Sequence, residues 1–480
     1  MKPIMNPSRG FARTARLTVA LAAIAALAGC KGLLDVTNTG AVDGSKLTDI
    51  QYISMLTNSV VGEYQRLSDW NGVYEAKFAG EVNNHMTFFE ELDIGYRNIS
   101  DSGKILGNGT YVLAIYNPIH RVRWLADSVA SRIKTWEGDS AGRDLRLARV
   151  LAYGAYAYTY LGEQICSSPI NLSKPYQPAE IFAQFALPRY DEAITVAVAA
   201  KQWATTKAPD VSWTAAALAQ YAAGADSIAN MARVGAARTA LDLNDKAKAI
   251  TYASAVTPLW VSDASPGFQM WSQFLADKIT NRFYSLLTPS GSHELSLYKL
   301  PLGGVYDTVA KKLVGGAVGD PRVAQQPLTA YDGIRNVPVP MSTPAFSTYN
   351  ATAAGAQVDK GMGIRIASAI EARYILAEAQ GKTGAGNIAF LNARRALASM
   401  APVDASISDA AYRDAVIEQR ARDLFLDGHR LGDLRRYKQF YGLDLYPHGT
   451  YPTSTTVQYG TQECFPIPVG ELQGNPLASQ

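Results

Sequence analysis

The chain has 480 residues, 45 Lys+Arg against 42 Asp+Glu, three cysteines and 48% apolar residues. That composition excludes intrinsic disorder and a small disulfide-stapled scaffold, and a formal charge of +3 offers no basic face for nucleic acid. The 26 tyrosines, each a flat ring with a hydroxyl, are compatible with a surface for polar ligands.

Met1 to Arg16 carries Lys2, Arg9, Arg13 and Arg16 and no acid, and Leu17 to Leu27 is almost unbroken Ala, Leu, Ile and Val. This apolar run is too short for a membrane span of about 20 residues, so it reads as a secretory leader. Leu27-Ala28-Gly29-Cys30 resembles the bacterial lipobox, in which the cysteine becomes the first mature residue and carries lipid. Residues 1–29 are thus expected to be removed, and Cys30 to be the lipidation site that anchors the chain without a spanning helix. Lys31, where an Asp would favour inner-membrane retention, points to the outer membrane. Residues 30–45 read as a lipidated tether. Loss of the leader leaves 41 basic against 42 acidic residues, a net charge of −1. Whether Cys166 and Cys464 pair stays open: export permits a disulfide, and two buried thiols fit equally well.

The body reads as mainly α. Ile53, Leu56, Val60, Tyr64 and Leu67 recur at helical spacing. Helices are predicted over residues 122–136, 145–161, 181–200, 213–241, 245–256, 364–380, 388–400 and 410–428. Pro and Gly crowd the stretch from about 284 to 359, which is expected to be loops with a few short strands. Small residues at tetratricopeptide-like spacing occur at Ala377, Ala389 and Ala396, at Ala237, Ala249 and Val256, and at Ala193 and Ala200. The short linkers Asp242 to Asp245 and Gly381 to Gly386 suit antiparallel hairpins. The expected architecture is one domain over residues 46–480, with such helix pairs packed against the loop-rich region.

No catalytic constellation stands out. Gly138-Asp139-Ser140-Ala141-Gly142 matches G-x-S-x-G, but a nucleophile elbow needs a strand before the serine. Here helices flank it, and Asp139 or Ser140 is expected to cap the second. Lys382 in Gly381-Lys382-Thr383 lacks the upstream glycine of a phosphate loop. The five histidines and remaining cysteines show no zinc spacing, so no metal or other cofactor is expected.

Glu418 to Arg436 is dense in charge, with leucines interleaved. Helical spacing puts Ile417, Ala421, Leu424 and Phe425 on one stripe and pairs Glu418 with Arg422. Gly428 is expected to end this helix in the left-handed conformation. Asp433 beside Arg435 and Arg436 suggests an ion-pair cluster at a turn, although a solvated amphipathic face would give the same pattern. Glu418, Arg420, Leu424, Phe425, Gly428, Arg430, Asp433, Leu434, Arg435 and Arg436 fit the closing signature of the SusD/RagB family of surface nutrient-binding lipoproteins, which this chain resembles. Asp423 and Asp427 stand where Glu is usual. Further likenesses run along the chain: Leu34-Asp35-Val36 after Cys30, Tyr116 to Ile119, Leu161-Gly162-Glu163 with Ser168-Pro169-Ile170, Asp320-Pro321-Arg322, Phe465 to Pro468 with Glu471, and Asn475-Pro476.

The resemblance implies a mainly helical fold with tetratricopeptide-like pairs on one side and irregular loops on the other. It implies capture of nutrient oligomers, most often glycans and sometimes peptides, for a TonB-dependent outer-membrane barrel, without chemistry. An envelope assembly scaffold built on helical repeats is the alternative from another class. Sugar sites stack rings and hydrogen-bond hydroxyls, and Asp69 to Arg97, expected to follow the first helix, has that mixture. Trp70, Asn71, Tyr74, Asn84, Tyr96 and Arg97 are the ligand candidates there, with Tyr284 and Tyr306 in the second irregular region and Trp271 near it.

Overall fold

The computed structural model describes residues 49–84, 92–99, 112–274, 281–287, 295–329, 336–340, 363–452 and 454–478. The leader, Cys30 and the tether lie outside these residues. The chain divides into two units, Met1–Tyr52 and Ile53–Gln480. Of the first, residues 50–52 form a 3-10 turn, where the Asp49 carboxylate accepts from the Gln51 backbone N–H at 3.0 Å.

The second unit is mainly α. Its longer helices are α1 (Ile53–Phe78), α2 (Asn117–Glu137), α3 (Leu145–Gln164), α4 (Leu187–Thr206), α5 (Ala215–Asp242), α6 (Lys246–Ser254), α7 (Ala369–Gln380), α8 (Asn387–Leu397), α9 (Asp409–Asp423) and α10 (Arg430–Tyr441). Consecutive helices pack in pairs: α2 on α3, α4 on α5, α5 on α6, and α8 on α9, while α7 bridges α6 and α9. Ala237, Ala249 and Val256 are wholly buried, as close approach of α5 and α6 requires, and so are Ala193 and Ala200. The last set departs from its expected register. Ala377 is buried, but Ala389 and Ala396 face solvent, because α8 turns Phe390, Leu391 and Arg394 inward instead.

Four other local expectations change. The first helix does not end near Leu67. It runs to Phe78 because Val73, Tyr74, Ala76 and Phe78 continue the buried face, and Gly72 lets the Phe283 ring approach to 3.3 Å of where a Cβ would sit. Residues 364–368 are a strand, not helix. Ile364–Ser368 pairs antiparallel with Gln269–Ser272, and Ser368 then caps α7 by accepting from Glu371 N–H. The turn Gly138–Arg143 is 3-10, and Asp144, rather than Asp139 or Ser140, caps α3. The helix of the signature stops at Asp423, five residues before Gly428. Arg365 takes the Asp423 carbonyl, and Leu426 adopts a positive φ of 62° that places it in the core.

The loop side is built from short antiparallel pairs: Asn83–Asn84 with Leu295–Ser296, Val305–Asp307 with Lys312–Val314, and Gln325–Thr329 with Asn336–Pro340. Val73, Phe274, Phe283, Leu297, Val323, Phe425 and Leu426 form the core that joins this side to α1 and the signature segment. Cys166 and Cys464 form a disulfide across 298 residues. Beside it the C-terminal segment is tied to the end of α3: Cys166 N–H donates to Phe465 O (2.9 Å), and Phe465 N–H to Gln164 O (2.8 Å). Among the described residues no helix is long and apolar enough to cross a membrane.

Candidate functional site

The tyrosines are largely core. Tyr64, Tyr156, Tyr158, Tyr190, Tyr374 and Tyr437 are all below 2% exposed. The hydroxyls of several bridge helices: Tyr156 donates to Met231 O at 3.0 Å, and Tyr158 to Asp127 at 2.7 Å, while that of Tyr437 makes no hydrogen bond. The high tyrosine count therefore reflects helix packing, where a ring fills space and its hydroxyl finds a partner.

The signature segment is a buried ionic frame and not a solvated face. Asp423 is one hub. It accepts from Arg322 (3.0 Å), from Arg394 (2.6 and 2.9 Å) and from the Tyr374 hydroxyl. Arg322 is itself forked onto Asp320, at 2.8 and 2.9 Å, and reaches Gln419 at 2.8 Å, so Asp320-Pro321-Arg322 plugs the loop side into α9. Asp433 is the second hub. It pairs with Arg420 and Arg436, both at 2.7 Å, and not with Arg435 as expected. Arg436 continues to Glu378 on α7 (2.9 Å) and Asp242 on α5 (2.8 Å). Arg435 instead donates to the carbonyls of Gly162, Glu163 and Ile165, at 2.9, 2.9 and 3.1 Å, capping the end of α3. Gly432 makes that contact possible, since a Cβ there would meet Glu163 Cγ at 2.8 Å. His429 bridges Asp427 and Glu371, and Glu371 holds Arg238 at 2.6 Å. The Glu418–Arg422 pair forms as its spacing requires, at 2.9 Å. Gly428 sits at φ 79°, in the turn and not at the helix end.

Burial shapes the acids left outside these pairs. It pushes Glu75 up to about 7 and Asp69 up to about 6, and it raises Glu81 and Glu163 as well. Glu75 nonetheless accepts from the Leu431 N–H at the start of α10, and Asp69 from the Arg282 N–H at 2.5 Å.

The ligand candidates fall in separate places. Trp70, Asn71 and Tyr74 lie on α1. Asn71 is buried and exchanges two hydrogen bonds with Gln164, at 2.7 and 2.9 Å. Tyr74 is also buried, with its ring stacked 5.6 Å from the partly buried Trp70. The Arg282 guanidinium lies over Trp70 at 4.0 Å. A second cluster gathers Tyr96 against Tyr451, edge to face at 4.4 Å, with Tyr459 beyond. Arg97, 1% exposed, donates to the carbonyls of Pro447, Gly460 and Gln462 at 2.8–2.9 Å. Asn84 is in the short strand with Leu295, and Tyr284 is in the helix Arg282–Leu287. Trp271 and Tyr306 both sit in short strands. Sequence reading missed the concavities. One, lined by Gly80, Glu81 and the outer face of α9, encloses about 370 Å³. Another lies between Trp203, Trp213 and Tyr221 and the turn at Ser140. Those three rings pack edge to face, with centroids 4.9–5.5 Å apart. No local sequence signal brings such distant residues together. Among the described residues no group of three or more His, Cys, Asp or Glu could hold a metal.

Residues 364–480 match the SusD family. Comparison with curated proteins gives no match. Solved structures share the fold along most of the chain. A SusD homolog from Bacteroides thetaiotaomicron VPI-5482 is 13% identical, covers 91% of this chain and 98% of its own, and superposes with a TM-score of 0.57. A SusD-like carbohydrate binding protein from Bacteroides vulgatus ATCC 8482 is 14% identical over 88% of this chain and 96% of its own, with a TM-score of 0.56. A structure solved with a xylogluco-oligosaccharide is 13% identical over 88% and 97%, with a TM-score of 0.54. At such identities the likeness speaks for the fold alone. Residues 364–480, which carry most of the buried ionic frame, thus match the SusD family in sequence, and the chain shares the fold of solved SusD structures.

Proposed function

We propose that this protein is a lipid-anchored outer-membrane protein that binds nutrient oligosaccharides at the cell surface and passes them to a TonB-dependent barrel transporter. The observation that carries this reading is the SusD fold, shared along its length with a structure described as carbohydrate binding. The leader and Cys30 support the anchor, and binding without chemistry agrees with a frame whose charges are consumed in pairing. Trp70 and Tyr96, both partly buried and in separate clusters, are the proposed sugar-stacking residues, and Asn84 and Tyr284 remain proposed ligand contacts. Asn71, Tyr74 and Arg97 would hold the shape behind.

The test is a glycan array followed by calorimetry on the full chain carrying Cys30→Ser. An oligosaccharide should bind, and Trp70→Ala with Tyr96→Ala should weaken it by about tenfold in protein that still unfolds cooperatively. Binding of oligopeptides and no glycan would overturn the sugar reading in favour of a peptide carrier on the same scaffold. A neighbouring gene for a TonB-dependent barrel would separate both from an assembly scaffold. Cys30→Ser should also move the protein from the membrane fraction to the soluble one. Its persistence in membranes after a high-salt wash would contradict lipid anchoring.

A further inference from the structure

After α10 the chain has little regular structure of its own. Residues 443–452 and 454–478 form one short helix, Val469–Gly474, and two isolated bridges, Thr450 with Gln458 and Phe465 with Ile165. Their order comes from two distant stretches of chain to which they are pinned.

The first stretch is residues 96–99. The Arg97 guanidinium gathers three carbonyls, those of Gln462 and Pro447 at 2.9 Å and that of Gly460 at 2.8 Å, and lies over the Tyr446 ring at 4.5 Å. Gly460 N–H donates to Tyr96 O at 2.6 Å, and the Gln462 side-chain amide meets both backbone groups of Ile99, at 2.7 and 2.8 Å. Two glycines permit these approaches. A Cβ on Gly460 would meet Arg97 O at 2.2 Å, and one on Gly95 would meet the Tyr451 hydroxyl at 2.9 Å. The second stretch is the end of α3 and the turn after it. Cys464, two residues beyond Gln462, is bonded to Cys166, Phe465 packs on Phe78 with ring centroids 4.5 Å apart, and Asn475 donates to Ser173 O at 3.1 Å.

The two attachments reinforce each other. Arg97 is 1% exposed, so its donors cannot turn to water when a carbonyl moves away, and the three contacts hold or break together. The disulfide fixes residue 464 covalently beside them, which limits how far the carbonyls of Gly460 and Gln462 can stray. A segment held by long-range contacts and lacking repetitive structure is suited to open as a cooperative unit below the global unfolding free energy. What this one holds is Tyr96, whose ring meets Tyr451 edge to face.

We propose that the segment after α10 is a clasp, locked by the Cys166–Cys464 bond and keyed by Arg97, that opens and closes as one unit apart from the helix pairs and fixes the Tyr96 ring when closed. Arg97 and the disulfide are positioning groups that act through Tyr96. Only the part Tyr96 plays toward a ligand rests on the sugar reading.

Hydrogen exchange followed by mass spectrometry, on the full chain carrying Cys30→Ser, tests the clasp without any ligand. The informative peptides contain Tyr451, Tyr459 and Gly460, whose N–H groups donate to Val457 O, Gly449 O and Tyr96 O. In protein carrying Cys166→Ser and Cys464→Ser they should exchange about tenfold faster or more, while α4 and α5 keep their rates. Arg97→Lys should speed the same peptides with the disulfide intact, because one ammonium cannot serve three separately placed carbonyls as the planar fork does. In both variants oligosaccharide affinity should fall by about tenfold while the helical circular dichroism is unchanged. Equal acceleration in α4 and α5, or unchanged exchange of the three peptides in either variant, would overturn the clasp. Undiminished sugar binding by a variant whose clasp exchanges faster would overturn the positioning of Tyr96. If the parent chain binds no oligosaccharide, the sugar reading fails and the exchange rates alone decide the clasp.

Discussion

Replacing Asp423 with Ala should lower the free energy of unfolding by about 3–5 kcal/mol, a large share of the total for a domain. Asp423 is 3% exposed and neutralises two guanidinium groups at once. In its absence Arg322 keeps Asp320, but Arg394 loses both contacts to this carboxylate while its pair with Asp263 stays. Tyr374 is left with a buried hydroxyl and no acceptor at that position. Removing one partner of a buried pair costs more than the pair contributes, because the remaining charge stays desolvated. Lys201→Ala is the matched control. Its pair with Asp226 is short, at 2.8 Å, but both side chains are nearly half exposed, so the change should stay within about 1 kcal/mol. Urea denaturation of the two variants would measure the difference. Equal midpoints for Asp423→Ala and the parent chain would show that the frame does not support the fold.

Stability should also be greatest near pH 5 and fall toward pH 8. Glu75, Asp69, Glu81 and Glu163 are raised in the folded chain by burial, whereas in the unfolded chain they ionise near the ordinary carboxylate range of about 4. The folded state thus retains protons that the unfolded state sheds. Their stabilising contribution is complete below pH about 4 and is lost as pH rises through about 6 for Asp69 and about 7 for Glu75. His429 acts in the same direction. Burial and Arg238 oppose its protonation, but Asp427 and Glu371 outweigh them and raise it. Other carboxylates set the acid limb. Burial would raise Asp423, yet Arg394 and Arg322 hold it down at about 2. Asp433 and Glu371 are likewise held below the usual range, against burial, by Arg420 with Arg436 and by Arg238 with His429. Their contribution is present above pH about 4 and lost below it. The shifts of Glu75 and Asp69 together amount to a loss on the order of 5 kcal/mol between pH 4.5 and 8. Melting temperatures across that range should decline, and Glu75→Gln should flatten the decline. A level or rising profile would refute the account.

Much of the helical frame was legible in the chain. The apolar spacing that starts at Ile53 and the linker Asp242 to Asp245 are local properties, and local chemistry decides them. The signature was equally legible as a string of residues, which is why its family likeness could be read before any contact was known. Its environment was not. A run of Glu, Arg and Asp at helical spacing has the same pattern whether it faces water or other helices. What decides is which segments arrive opposite it, and here these are Asp320-Pro321-Arg322, Glu371, Glu378 and Arg394. Extended α1 shows the same limit. Trp70, Asn71 and Tyr74 have the composition of a ligand loop, yet Phe283 and Gln164 pack against that stretch and keep it helical.

The sequence by itself determined the mainly helical class and the signature by which residues 364–480 match the SusD family, and it alone motivates the expected leader and lipidation of Cys30. Those features depend on order along the chain and on short-range sterics. Only the tertiary structure decided that Cys166 reaches Cys464 and that Asp433 takes Arg420 and Arg436 while Arg435 goes to the carbonyls of α3. Apart from the Asp433–Arg436 pair, which is one helical turn long, each of these depends on residues brought together from separate parts of the chain, and pairing across such gaps is set by packing geometry.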